Sequence, residues 1–369
     1  DKSDVDHLLS RPAESGRQRH QRFKEEKSIF RQGTGTAMQQ LAQMYASDDK
    51  GASVVGSSVV ALACFYLWQI HARPLLSFIT SIDLTDQRLT STALRPLFSS
   101  LSLLPSLTQL DVRNNTSGWQ GMEALWDVVR SPSGNWAMPH ACPLETINLE
   151  GNGIGQRGAR YLGQAINLMP RLRELDLFDN DLGDGGAVEL IGGLFHCSTL
   201  LSLDLGQNRL RDEAAVAVAD LLEASCCSVQ ELDMWHNRIG RLGFIALGAA
   251  LTVNDSLVHL GLWDNRIPGD AVDLCGEVLE SHNNVLQELD LRANKSVDGQ
   301  AVQSLALALE SPSCSLSSLL LAGCPVGDKG LKSLAEALHT NESLQQLDIQ
   351  DVGATSRGFS AIIAALEVN

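Results

Sequence analysis

From about residue 79 to the C-terminus, the apolar positions of the chain fall into one repeating register. In LRELDLFDNDLGDGGAVEL, residues 172 to 190, Leu172, Leu175 and Leu177 point inward while Glu174, Asp176 and Phe178 face outward, the alternation of a short strand. The period then changes. In GLKSLAEAL, Leu331, Leu334, Ala335 and Leu338 fall at i, i+3, i+4 and i+7, the stripe of a helix that buries one side. The register restarts at Ile79, Leu107, Leu144, Leu172, Leu200, Val229, Leu257, Leu286, Leu316 and Leu344, mostly 28 to 30 residues apart. That is the spacing of a stacked solenoid, whose usual work is to present an extended face to another macromolecule. Parallel strands stack about 4.8 Å apart and packed helices roughly 8 to 10 Å, so such a stack bends with its strands inside. The expected fold is therefore a right-handed α/β horseshoe of about ten repeats over 71–369, with a concave parallel sheet.

An asparagine recurs after the strand, at Asn115, Asn152, Asn180, Asn208, Asn237, Asn265 and Asn294. The whole pattern, LxxLxLxxNxL followed by a Gly/Asp turn and a helix, resembles leucine-rich repeat proteins of the ribonuclease-inhibitor and NOD-like-receptor type, over about three quarters of the chain. The resemblance implies that the asparagine side chain satisfies backbone groups in the bend, which would otherwise be buried without partners. Gln87, Cys324 and Val352 depart from it in the first and last two copies, where capping repeats are expected to be irregular.

The outward position after the last inward strand residue reads Thr85, Arg113, Glu150, Phe178, Gly206, Trp235, Trp263, Arg292, Ala322 and Gln350. Trp235 and Trp263 stand on adjoining strands, with His236 and Asp264 beside them and His259 in the next column. Exposed tryptophans are typical binding hot spots. Phe178, Trp235, His236, His259, Trp263 and Asp264 are accordingly the candidate partner-binding residues, against the alternative that the rings only cover each other as a cross-strand pair. Aspartates at Asp83, Asp111, Asp176, Asp204, Asp233, Asp290 and Asp348 form a column that marks the repeat more than a target.

The step from Leu107 to Leu144 is long. Its extra residues, placed at about 117–143, include Trp119, Trp126, Pro132, Gly134, Trp136 and Pro139, the composition of an ordered surface loop. A partner-specific insertion and a seal for the N-terminal flank are both open readings. Residues 1–50 are polar, mixed in charge and aperiodic, as in an extended arm. From Gly51 to Ile70 no residue is charged. Twenty residues reach about 30 Å as a helix, enough to cross a bilayer. Tyr66 and Trp68 border that stretch, as expected at a membrane interface. A membrane span is expected there; the alternative is a buried helix capping the first repeat. The missing initiating methionine, with a single span, fits an organellar membrane protein after processing, and cytoplasm is the alternative compartment.

The net charge is −16, with 28 Lys and Arg against 44 Asp and Glu. An acidic body makes nucleic acid a poor partner and a basic protein a better one, though acidity also serves solubility alone. The eight cysteines contain no CxxC pair. Cys142, Cys197, Cys227 and Cys314 recur just before strands, as packing residues of a reducing compartment would. Gly153, Gly155 and Gly158 spell GxGxxG, yet the same place elsewhere reads Gly183-Asp184-Gly185-Gly186 and Gly327-Asp328-Lys329-Gly330. Repetition assigns it to the strand-to-helix turn rather than to phosphate binding. No HExxH, GxSxG or GxxxxGK[ST] occurs. Catalysis, cofactor and metal are not expected. The expected function is a scaffold subunit that binds a protein partner and is tethered to a membrane complex, or else a regulator or sensor without the tether.

Overall fold

The computed structural model describes residues 79–131, 142–273, 278–279 and 285–367. Ten strands of three residues recur through them: β1 Ser81–Asp83, β2 Gln109–Asp111, β3 Thr146–Asn148, β4 Glu174–Asp176, β5 Ser202–Asp204, β6 Glu231–Asp233, β7 His259–Gly261, β8 Glu288–Asp290, β9 Ser318–Leu320 and β10 Gln346–Asp348. They pair in chain order as one parallel sheet. Each is followed by a helix: α1 Ser91–Leu101, α2 Gly118–Val129, α3 Gly155–Ile166, α4 Gly183–Leu194, α5 Asp212–Glu223, α6 Arg241–Leu251, α7 Gly269–Val272, α8 Gly299–Leu309, α9 Gly327–Leu338 and α10 Ser356–Leu366. Consecutive helices pack against one another in a second layer.

The middle residues of strands β1 to β9 show why the units stack. Ile82, Leu110, Ile147, Leu175, Leu203, Leu232, Leu260, Leu289 and Leu319 lie in register from strand to strand and are buried. From the helices, stripes such as Leu331, Leu334, Ala335 and Leu338 close onto the same core. Fully burying one such leucine stabilises by roughly 1.5–3 kcal/mol. No single unit could bury its own face, so the core exists only between neighbours.

The asparagines form a buried ladder through the bends. Asn180 is typical: its Nδ2 donates to Leu149 O of the preceding repeat at 2.8 Å, and its Oδ1 accepts the amides of Asn152 and Ile154 at 3.1 and 3.3 Å. Asn208 does the same one repeat on, with Leu177 O, Asn180 N and Leu182 N. At the departure Cys324, the thiol reaches Leu291 O at 3.1 Å, so a weaker donor fills the rung. Val352 is buried without such a group to offer.

Gly153 and Gly155 of the GxGxxG string occupy the turn that their repetition predicts, while Gly158 lies inside α3. Gly155, Gly183 and Gly327 all have φ of 62°, a left-handed conformation that glycine adopts without strain. Their amides donate to Asn180 O, Asn208 O and Val352 O of the following repeat.

Residues 117–131, assigned by composition to an insertion, hold an ordinary repeat helix: α2 has the same twelve-residue length as α3 and buries Met122, Leu125 and Val128. Residues 132–141 of that segment lie outside the described residues, as do the polar arm 1–50 and the apolar run 51–70. Among the described residues, no helix is long and apolar enough to cross a membrane.

Candidate interaction surface on the sheet face

The acidic column has a local cause. Asp176, Asp204 and Asp290 each accept the backbone N–H two residues on, from Phe178, Gly206 and Arg292, at 3.0, 2.7 and 3.0 Å. Asn148 does the same for Glu150 at 3.0 Å. A short side chain with an acceptor therefore shapes the turn out of the strand, whichever of the two residues provides it.

That turn aims the next side chain off the sheet, and here three aromatic rings meet. Phe178 stacks on Trp235 with centroids 4.5 Å apart and planes 20° apart, and Trp235 stacks on Trp263 at 5.2 Å and 17°. At the far end the Arg292 guanidinium lies 5.5 Å from the Trp263 ring. A fork to Asp290 fixes that arginine, through Nε at 2.9 Å and Nη2 at 2.6 Å. Phe178 and Trp235 are half-buried, whereas Trp263 keeps 37% of its surface exposed. The rings do cover one another, and they still present a continuous apolar edge across four repeats.

Phe178 and Trp235 are not on neighbouring strands. Between them stands β5, whose residue at this position is Gly206. A Cβ there would lie 2.9 Å from both Phe178 Cδ2 and Trp235 Nε1, and 3.0 Å from Asp204 Oδ1. The row closes only because that side chain is missing.

The remaining candidates fall into two other arrangements. His236 and Asp264 occupy the left-handed bend before the ladder asparagine, with φ of 53° and 52°, and His236 Nδ1 meets Asp264 Oδ2 at 2.6 Å. His259 sits in the strand column, with Nε2 3.2 Å from Asp233 Oδ1 and Nδ1 3.4 Å from Glu288 Oε1. Gly261 makes room for the Asp233 carboxylate, since a Cβ at that position would collide with Oδ1. The hydrogen bond to Asp233, opposed by burial, raises the affinity of His259 for its proton.

The carboxylates under the rings are held by burial above their ordinary range, although Arg113 opposes this at Asp176 and Glu150. Burial raises Asp176 above its ordinary range, and burial with Asp176 and Asp233 on either side pushes Asp204 up to about 7. Glu150 is raised for the same leading reason. Gly206, Asp204 and Arg292 thus belong to the surface although the pattern of aromatics and histidines did not single them out.

Among the described residues no group of three or more His, Cys, Asp or Glu is placed to hold a metal ion. Among the described cysteines, Cys142, Cys314 and Cys324 are buried, Cys197 and Cys227 half-buried and Cys226 exposed. Burial pushes Cys142 up to about 12 and Cys324 up to about 11, so both stay protonated at neutral pH.

Comparison with known proteins matches this geometry to a family. The family model for the leucine-rich repeat matches residues 140–163, 170–190, 196–219 and 313–335. Ribonuclease inhibitor from Sus scrofa is 30% identical over 279 residues, covering 75% of this chain and 59% of that protein. The chain is a leucine-rich repeat protein. Its repeats are of the ribonuclease-inhibitor and NOD-like-receptor type, since human NACHT, LRR and PYD domains-containing protein 3 is also 28% identical over 309 residues, 76% of this chain and 28% of that one. The leucine-rich repeat chain thus spans at most about three fifths of the length of these curated relatives. Among solved structures, an internalin from Listeria monocytogenes aligns over 82% of this chain and 92% of its own, at 16% identity and a TM-score of 0.42, too low to carry an argument.

Proposed function

We propose that this leucine-rich repeat protein is a non-catalytic docking subunit that carries a protein partner on its sheet face, centred on Phe178, Trp235 and Trp263 with His236, His259 and Asp264 at the margin. The observation that carries this reading is the ring row itself. Large rings held rigid by stacking can be desolvated with little further loss of entropy, which is what makes aromatic residues binding anchors. The carboxylates Asp176, Asp204 and Glu150 around the row favour a basic partner, by complementary charge. The name of one relative, ribonuclease inhibitor, supports a protein as the kind of partner. Replacing both Trp235 and Trp263 by alanine should weaken complex formation while thermal melting stays nearly unchanged; unaltered affinity would remove the row from the interface.

The tether belongs to the same proposal. The uncharged stretch 51–70 supports anchoring in a membrane assembly. Without that anchor the chain acts as a regulator or sensor on the same face, the reading that similarity to an inhibitor and to the NACHT, LRR and PYD proteins favours.

A further inference from the structure

The two ends of the stack, at β1 and β10, differ. In the first repeat Ile82, Leu84, Ala93 and Leu97 are all buried. In the last, the inward strand positions Leu347 and Ile349 are only half-buried, whereas Leu319 and Leu321 one repeat earlier are buried. The helices show the same break. α9 buries Gly330, Leu331, Leu334, Ala335, Ala337 and Leu338, but α10 only Gly358, Ile362 and Ala365. In the register that pairs Leu347 with Leu319, the three positions that α10 leaves uncovered are Phe359, Ile363 and Leu366, exposed by 39%, 58% and 62%. They match Leu331, Ala335 and Leu338 of α9, where a Cβ on Gly358 of α10 would already lie 3.1 Å from Leu331 Cδ1. The backbone is open as well. Leu321 and Gly323 donate to Asp348 O and Gln350 O at 2.8 Å. Among the described residues, the matching amides of Ile349 and Asp351 have no further strand to meet.

We infer that a second copy of this chain covers this end, tail to tail about a two-fold axis through Leu347, so that the two sheets join into one. An end repeat normally carries a polar outer face, and an open strand edge is a template for another strand. Here the helix stripe is uncharged and the edge bare. Every other junction in the stack shows what fits such a face: a strand and helix with an apolar stripe. This chain leaves one such face open, at β10 and α10, and its first repeat is closed, so a copy meets it with the same face, in a closed pair rather than a filament. The net charge of −16 opposes contact between copies elsewhere, whereas the stripe carries none of it. The face is also self-complementary. Gln346 and Asp348 turn their backbone groups toward β9, which leaves those of Leu347 to be exchanged with its own equivalent across the axis. Gln346 then stands opposite Asp348 of the second copy, an amide beside a carboxylate, as Asn148 Nδ2 donates to Asp176 Oδ2 at 2.9 Å within the sheet. The two α10 helices run antiparallel, with Ile363 against its own copy and Phe359 beside Leu366. The ring row on β4 to β8 stays free, so the pairing does not rest on the docking function proposed above.

The test is sedimentation of the full chain over the micromolar range, in mild detergent because of its apolar stretch. It should show a dimer that does not grow further. Ile363→Glu and Ile363→Lys each set a charge against its own copy and should weaken the dimer about 100-fold or more. Mixing those two variants should restore it, because the axis brings the opposite charges together. The position is exposed, so circular dichroism of both variants should match the unsubstituted protein; Leu366→Glu on the same stripe serves if either fails to fold. Leu242→Glu, at a leucine of α6 that is 66% exposed, should leave the dimer intact. A chain that stays monomeric, an assembly that grows without limit, a dimer indifferent to Ile363→Glu and Leu366→Glu, or a mixture that fails to recover overturns the inference.

Discussion

The rings of Phe178 and Trp235 lie 4.5 Å apart although their strands, β4 and β6, are separated by a whole strand. Adjacent strands set side chains about 4.8 Å apart, so residues two strands away should be nearly twice that. Gly206 supplies the missing volume.

Filling that volume should undo the row. Gly206 has no left-handed φ, so Gly206→Val strikes the rings and not the backbone. Trp235 and Trp263 at 5.2 Å are close enough to couple as chromophores. The Trp–Trp couplet in circular dichroism is expected to shrink, with a loss of about 1 kcal/mol in urea unfolding, the size of one aromatic pair. An unchanged couplet would mean that the stack does not depend on the gap.

The ladder asparagines carry stability of a different kind. Asn180→Ala would leave the amides of Asn152 and Ile154 buried without partners, and Leu149 O with Asn152 Nδ2 alone. Each orphaned group costs about 1–3 kcal/mol, so the loss should be at least ~2 kcal/mol in equilibrium unfolding. A loss below ~1 kcal/mol would show that water or a shifted backbone replaces the side chain.

Stability should fall as the pH rises across the neutral range, because two groups act in the same sense. Asp204 has a folded pKa of about 7, above the ordinary carboxylate value near 3.9. Between those values the folded state holds a proton that the unfolded state lacks, so its contribution is lost as pH rises through that window. His259 is also raised, by its bond to Asp233; it stabilises below about 6.5 and loses that contribution as pH rises through its folded value. Urea midpoints of Asp204→Asn against the unsubstituted protein should converge toward pH 4 and separate by pH 8, with the variant the more stable. A variant less stable at pH 8 contradicts this assignment.

Residues 51–70 make a prediction of their own. If they anchor the protein, it should remain in the pellet when membranes are washed with alkaline carbonate, and a chain starting after residue 70 should not. Full extraction of the longer chain would leave the docking face without a tether.

Much of this was legible before any coordinate. The change from a two-residue to a 3.6-residue period located every strand and most helices, because burial of leucine is the dominant force and leaves a periodic trace. Repetition also reassigned Gly153 and Gly155 from a nucleotide motif to a turn. Gly206 and Gly261 were not legible as parts of the surface, since a glycine states nothing about which neighbours lean into its space. Asp204 reads like every other aspartate of its column; burial, with Asp176 and Asp233 on the strands to either side, sets it apart. The helix α2 was hidden because Trp119 and Trp126 look like loop aromatics when the repeat around them is lengthened.

The most direct test is crosslinking mass spectrometry on the native assembly, followed by titration of the crosslinked partner against Trp235→Ala and Trp263→Ala. Crosslinks are expected to cluster around the sheet-face positions from β4 to β8, and each substitution should cost about tenfold or more in affinity, roughly 1.4 kcal/mol. Crosslinks confined to the helical layer, with affinity indifferent to both tryptophans, would contradict a docking role for the aromatic row.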